Sequence, residues 1–295
     1  MRLFEALRRR KATAASVATV TVFSLAVTTM AFLYQGITTA DVELNDGGVW
    51  VTKPSGLLVG HLNYQAQLLD GGLKMTSSDF DILQHNETII TVDRATGSLA
   101  PIDPVSVTLG NAVALPAEST VTMGGNTLAV IDKTGDLFTT RASDVANFLP
   151  DPDKPLLTLG SGAEATVDVD GGVHALSPSS GEMVTIPLDE DGVPLEPVKN
   201  GFPETDDDAA LTMTTVGDDA VVFDSANGIA YLPGGKKVDV ADSTGGVLQE
   251  TGPASDAVLI ATDTALIRQP LDGGTATATS AGKPGKPAAH VYLAG

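Results

Sequence analysis

Beyond residue 40 the chain carries no long stretch with the 3.6-residue periodicity of a helix. Short apolar runs alternate instead with Gly, Asp, Asn and Pro clusters, the pattern of strands joined by tight turns. One unit recurs. Two or three β-formers lead into a turn centred on Asp-x-x-Thr-Gly or a variant, and a second short strand follows. Residues 89–99 are the clearest copy, with Asp93, Thr96 and Gly97 in the turn. Residues 128–137 repeat it with one residue fewer, and 173–183 and 221–229 keep the full spacing. Residues 49–57 form a looser early copy, and 259–266 a late one without the Gly.

The turn residues have physical roles. Asp accepts backbone N–H groups two residues on, and Gly supplies the positive φ that closes a hairpin. Each full copy is preceded by a further strand and tight turn: 120–123 before Gly124-Gly125-Asn126, 165–169 before Asp170-Gly171-Gly172, and 211–216 before Gly217-Asp218-Asp219. Leu156–Leu159 adds a fourth strand after the copy at 128–137. The turn glycines Gly56, Gly97, Gly135, Gly181 and Gly228 are 41, 38, 46 and 47 residues apart. A period of this size with about four strands per unit is that of a propeller blade. The expectation is an all-β fold, a β-propeller of about six four-stranded blades, preceded by one N-terminal transmembrane helix. A β-sandwich accounts for the strand alternation but not for a period that persists through six units. The run 275–287, rich in Ala, Thr, Gly, Lys and Pro, reads as a flexible connection. Residues 289–295 read as the opening strand of another blade, which leaves ring closure, blade number and completeness open.

The N-terminal segment sets the topology. Arg8-Arg9-Arg10-Lys11 is followed by an uncharged run from Ala12 to Ala40. Residues 12–34 are long enough to cross a bilayer, which takes about 20 residues. The basic cluster belongs on the cytoplasmic side, so the body lies outside. The organisation is therefore 1–11 cytoplasmic basic segment, 12–34 transmembrane helix, 35–44 linker and 45–295 propeller-like repeat domain. Two versions of the helix compete. A signal-anchor is retained, and the length favours it. A signal peptide would be cut after Thr38-Thr39-Ala40, leaving Asp41 first.

Charge narrows the partners. Residues 1–40 carry five basic residues against one acid, and the remainder twelve against thirty-six. A body that acidic repels phosphate backbones, so nucleic acid is not a partner. The main reading of such a surface is solubility, with the attraction of cations or basic partners as the alternative. Aromatic residues make up 4%, too few for a sugar- or base-stacking surface. With no cysteine, disulfides, thiol catalysis and Cys–Zn sites are excluded.

Candidate chemistry is thin. Asp168-x-Asp170-Gly171 is half of a calcium loop but lacks the later oxygen ligands. Asp189-Glu190-Asp191 and Asp206-Asp207-Asp208 read as solvated loops that discourage sheet-edge pairing. His61, His85, His174 and His290 form no metal-ligand pair. His174, between Val173 and Ala175, is expected to point outward or toward a neighbouring blade. No nucleophile elbow or phosphate loop occurs. Trp50, the single tryptophan, reads as packing between blades, with Val49 and Val51 on the opposite sheet face. No catalytic, cofactor-binding or metal residue is assigned.

Several segments carry a family resemblance: the Arg-rich anchor, Gly48–Thr52, Gly56–Asn63, Ser78–Gln84 and Val167–Pro178. Together they resemble the N-terminal region of large actinobacterial surface proteins with fibronectin type III repeats in their C-terminal part. The resemblance covers nearly the whole chain and implies a membrane-anchored, propeller-like head. The chain departs from the family in carrying no fibronectin repeats and no cysteines. The functional expectation is a non-enzymatic, single-pass, extracytoplasmic module for protein interaction or structure at the cell envelope. The alternative is an envelope-glycan or polysaccharide binding or processing domain. Expected partners are the membrane, through residues 12–34, and an envelope protein or glycan. No cofactor is expected.

Overall fold

The computed structural model describes residues 48–63, 66–189, 192–206, 208–285 and Val291. The expected basic segment, transmembrane helix of residues 12–34 and linker lie outside these. Among the described residues no helix is long and apolar enough to cross a membrane. Residues 45–295 form one compact unit.

Among the described residues, twenty-four strands make six antiparallel sheets in chain order. Sheet 1 holds β1 (Val49–Lys53), β2 (Leu58–Asn63) and β3 (Leu68–Lys74). Sheet 2 holds β4 (Phe80–His85), β5 (Thr88–Asp93), β6 (Ser98–Asp103), β7 (Thr108–Leu109) and β8 (Val113–Ala114). Sheet 3 holds β9 (Thr120–Gly124), β10 (Thr127–Ile131), β11 (Asp136–Arg141) and β12 (Leu157–Thr158). Sheet 4 holds β13 (Glu164–Val167), β14 (Val173–Ser177), β15 (Glu182–Ile186) and β16 (Val198–Gly201). Sheet 5 holds β17 (Leu211–Val216), β18 (Asp219–Asp224), β19 (Ile229–Leu232) and β20 (Lys236–Asp239). Sheet 6 holds β21 (Val247–Leu248), β22 (Ala257–Ala261), β23 (Ala265–Pro270) and β24 (Thr277–Ser280).

The recurring turn does what its chemistry dictates. Asp93, Asp132 and Asp224 each accept backbone N–H groups from the residues that follow. Gly97, Gly135, Gly181 and Gly228 all have positive φ. At the first copy the expectation fails. Gly56 closes a short 3-10 turn, and Leu57 takes the left-handed conformation at φ 55°. In sheets 2 to 6 the turn joins the second and third strands, but in sheet 1 it joins the first and second. The strand missing from sheet 1, among the described residues, is therefore the one that opens each other sheet. Four strands per sheet thus holds for four of the six. Residues 275–287 are not a plain connection either, because β24 lies within them and pairs with β23.

The core lies between neighbouring sheets. Leu128 and Val130 of β10 pack toward sheet 2 with Ile90, Val92 and Leu99. Ala129 and Ile131 of the same strand pack toward sheet 4 with Val167, Val173 and Val184. Similar clusters join sheets 1 and 2, 4 and 5, and 5 and 6. A strand covered on both faces must be apolar throughout, which is why β10 and β14 read as continuous runs rather than alternating ones. Full burial of a side chain such as Phe223, at 0% exposure, contributes roughly 1.5–3 kcal/mol.

The six sheets converge on one cavity. This cavity, of about 530 Å³, is lined by Trp50 of sheet 1, Gln84 of sheet 2, Thr122 of sheet 3, Thr166 of sheet 4, Thr214 of sheet 5 and Thr251, just after β21, of sheet 6. Six sheets stacked in sequence around a shared cavity make a β-propeller. Sheets 5 and 6 are linked at Gly252, whose N–H donates to the Thr215 carbonyl and whose carbonyl accepts from the Gly217 N–H. Val291 is buried and its carbonyl accepts the Glu250 N–H at 2.7 Å, which fastens this residue beside sheet 6.

Candidate functional site

The turn between β13 and β14 builds the wall of a cleft. Asp168 Oδ1 accepts the N–H groups of Asp170 at 3.0 Å and Gly172 at 2.8 Å. Asp168 Oδ2 lies 2.9 Å from His174 Nε2. An ionised carboxylate only accepts, so the imidazole N–H at Nε2 donates to it. His174 Nδ1 lies 3.3 Å from Thr185 Oγ1, its direct cross-strand neighbour in β15. The carboxylate can fold back only because residue 172 is glycine. A Cβ there would stand 2.5 Å from Asp168 Oδ2. Burial pushes the Asp168 carboxyl up. The His174 and Gly172 hydrogen bonds more than reverse this and hold it below the ordinary carboxylate range.

Two lobes meet at this wall. The first, about 740 Å³, is lined by Asn126, Arg141, Asp168, Asp170, His174, Thr185, Asp189 and Asp218 among others. Arg141 is the only Lys or Arg among its described lining residues, against four aspartates. The second, about 600 Å³, shares His174, Thr185 and Asp218 and adds Asn200, Phe202, Asp219 and Tyr231. The Phe202 and Tyr231 rings lie 4.9 Å apart, and Lys237 Nζ is 5.6 Å from the Tyr231 centroid. Sheets 3, 4 and 5 thus present an acidic, two-lobed cleft.

The positions singled out from the sequence are distributed as follows. Asp168 and Asp170 are brought together, but Asp168 is consumed by His174 and backbone N–H groups. Among the described residues no three His, Asp or Glu side chains converge as a metal site. His174 does not face outward; it lines both lobes together with residues of neighbouring sheet 5. It is buried, and both ring nitrogens are engaged by residues of sheet 4 and its first turn. Asp189 caps its own turn by accepting the Val193 N–H, and it lines the first lobe. Asp206 and Asp208 stand elsewhere, with Asp208 3.4 Å from Asn227 Nδ2. His61 pairs with Asp70 at 2.6 Å, His85 ends β4, and His290 lies outside the described residues. Trp50 packs between sheets 1 and 2, its backbone N–H donating to Gln84 Oε1, while Val49 and Val51 are exposed. Thr185, Arg141 and Asp218 escaped sequence reasoning. The strand register that sets Thr185 opposite His174 was the available signal for the first, and the other two come from separate sheets.

The fold and cleft define a six-sheet β-propeller. No family model matches the chain, and no curated protein matches it. Solved structures do. One is the dihydro-heme d1 dehydrogenase NirN in complex with DHE, at TM-score 0.55 and 12% identity over 83% of this chain and 55% of that one. The complex of KlAtg21 with the coiled-coil of AgAtg16 matches at TM-score 0.52 and 10% identity, over 76% of both chains. Kluyveromyces lactis Hsv2 matches at TM-score 0.51 and 13% identity, over 76% of this chain and 70% of that one. The chain spans about half the length of NirN. At such identities the likeness is one of fold alone, and it supports the propeller.

Proposed function

We propose that the chain is a non-enzymatic, membrane-anchored extracytoplasmic propeller that binds a basic segment of an envelope protein in the cleft of sheets 3 to 5. The observation that carries this reading is the lining of the first lobe, where Asp170, Asp189 and Asp218 surround a single arginine. Walls of one sign focus the field and draw oppositely charged groups. The buried Asp168–His174 pair supports the wall rather than reacting, since its acceptors and ring nitrogens are already engaged. Anchoring through residues 12–34 and the outward orientation rest on the apolar run and its basic flank.

The test is site-specific photo-crosslinking in intact cells. A crosslinker at Asp218 is expected to capture a protein, and one at Val105, in the exposed turn between β6 and β7, is not. Asp170→Lys with Asp189→Lys is expected to abolish the adduct. An adduct indifferent to charge reversal contradicts the reading. The alternative, envelope-glycan binding or processing, draws on the same three aspartates. It predicts binding of soluble envelope polysaccharide in place of the protein adduct.

A further inference from the structure

The two lobes of the cleft differ in chemistry. The first is polar and acidic, and among its described lining residues only Pro187 and Leu188 carry apolar side chains. The second is lined by Met183, Phe202, Pro203, Tyr231, Leu232 and Pro233 among others. Met183, Phe202, Pro203 and Pro233 are only partly buried, so their apolar faces stay open to the lobe. Beneath them Leu176, Val222, Ile229 and Tyr231 form a closed cluster, against which Met183 and Phe202 pack. The Tyr231 ring braces that of Phe202 at 4.9 Å. An apolar floor held in place before a ligand arrives lowers the cost of binding one.

Strand β15 sets the distance between the lobes. Met183 lines the second lobe, Thr185 lines both, and Pro187, just beyond the strand, lines the first. Alternate residues of a strand share a face and rise about 7 Å per pair. The apolar floor at Met183 therefore lies about 7 Å from the ridge at Thr185 and about 14 Å from Pro187. An extended peptide has the same repeat, with side chains on one side at every second residue. Asp218 is exposed and lines both lobes, so a cation that crosses the ridge keeps a carboxylate beside it. The second lobe adds Asp219 and has no Lys or Arg among its described lining residues.

We propose, resting on the reading of the cleft as a site for a basic segment, that this segment carries a large apolar side chain two or four residues from a Lys or Arg. The apolar side chain occupies the second lobe and the basic one the first. The apolar lobe then selects among basic segments, because an acidic wall alone takes any of them.

The full chain in mild detergent is titrated calorimetrically with acetyl-Phe-Gly-Lys-Gly-Lys-amide, with the reversed acetyl-Lys-Gly-Lys-Gly-Phe-amide, and with both peptides carrying Ala in place of Phe. One order is expected to bind about tenfold more tightly than its Ala counterpart. Phe202→Ala is expected to bring that ratio below about threefold, whereas Asp170→Asn weakens the peptides and keeps the ratio. Circular dichroism verifies both folds, and the ratio in the unsubstituted protein decides the matter should Phe202→Ala not fold. Equal affinity for the Phe and Ala peptides in both orders, or a ratio unchanged in folded Phe202→Ala, overturns this inference and leaves the basic-segment reading intact. Binding of none of the four overturns both.

Discussion

Asp168 Oδ2 stands 2.9 Å from His174 Nε2, with both side chains almost closed to solvent. The contact joins the first turn of sheet 4 to its second strand and forms the cleft wall. Asp168→Ala removes the cap of two backbone N–H groups and leaves His174 buried without its acceptor. The expected cost is about 3 kcal/mol, measured by denaturant unfolding. Gly172→Ala is expected to destabilise as well, since its Cβ meets the same carboxylate oxygen. A loss below about 1 kcal/mol in both would remove the pair from the structural account.

Sheets 3 and 4 approach so closely at Gly124 that a Cβ there would lie 2.1 Å from the Asp168 carbonyl oxygen. Backbone, not a flexible side chain, is in the way. Gly124→Ala is expected to cost more than about 3 kcal/mol or to prevent folding. Leu259→Ala, on a partly exposed side chain in sheet 6, serves as a milder control, and thermal unfolding ranks the two.

Glu164 opens β13, and burial pushes its carboxyl up to about 7. An acid whose folded pKa exceeds its unfolded value binds its proton more tightly when folded. Stability therefore falls as pH rises from about 4.5 toward 7, by at most roughly 3 kcal/mol. Asp93, Asp132 and Asp168 act in the opposite sense. Burial raises them, but N–H, O–H and imidazole donors prevail and leave them lowered, so their contribution is lost as pH falls below about 3.8. Unfolding free energy is expected to peak in mildly acidic buffer, and Glu164→Gln to flatten the decline on the alkaline side. An unchanged slope in that variant would exclude Glu164 as its cause.

Much of this was legible from residues 89–99 and their repeats. Asp93 and Gly97 announce a turn by local chemistry, and local chemistry survives folding. The period between Gly97 and Gly228 gave the sheets, because each sheet is built from consecutive strands. The cleft was not legible. Arg141, His174 and Asp218 come from three sheets, and their meeting depends on how sheets stack, which no local pattern encodes. The outward half of the expectation for His174 misled for a related reason. In a strand between Val173 and Ala175, alternation suggests one face looking outward, but β14 is covered on both faces. Gly56 misled because the left-handed residue is its neighbour, Leu57.

Val291 contributes a buried side chain and one backbone hydrogen bond to sheet 6. Val291→Asp places a charge where an apolar group packs. It is expected to lower the melting temperature by several degrees, corresponding to about 2 kcal/mol, while Val291→Ile is tolerated. Equal melting temperatures for the two variants would show that this contact does not hold the unit together.

The absence of cysteine permits a direct measurement of the central claim, an outward-facing module with an occupied cleft. Single cysteines are placed at Val105, 93% exposed, and at Asp218 in the cleft. Intact cells are then treated with a membrane-impermeant maleimide before and after a high-salt wash. The account predicts that Val105→Cys is labelled throughout and Asp218→Cys only after salt removes a basic partner. Labelling of Val105→Cys only after cell lysis would contradict it.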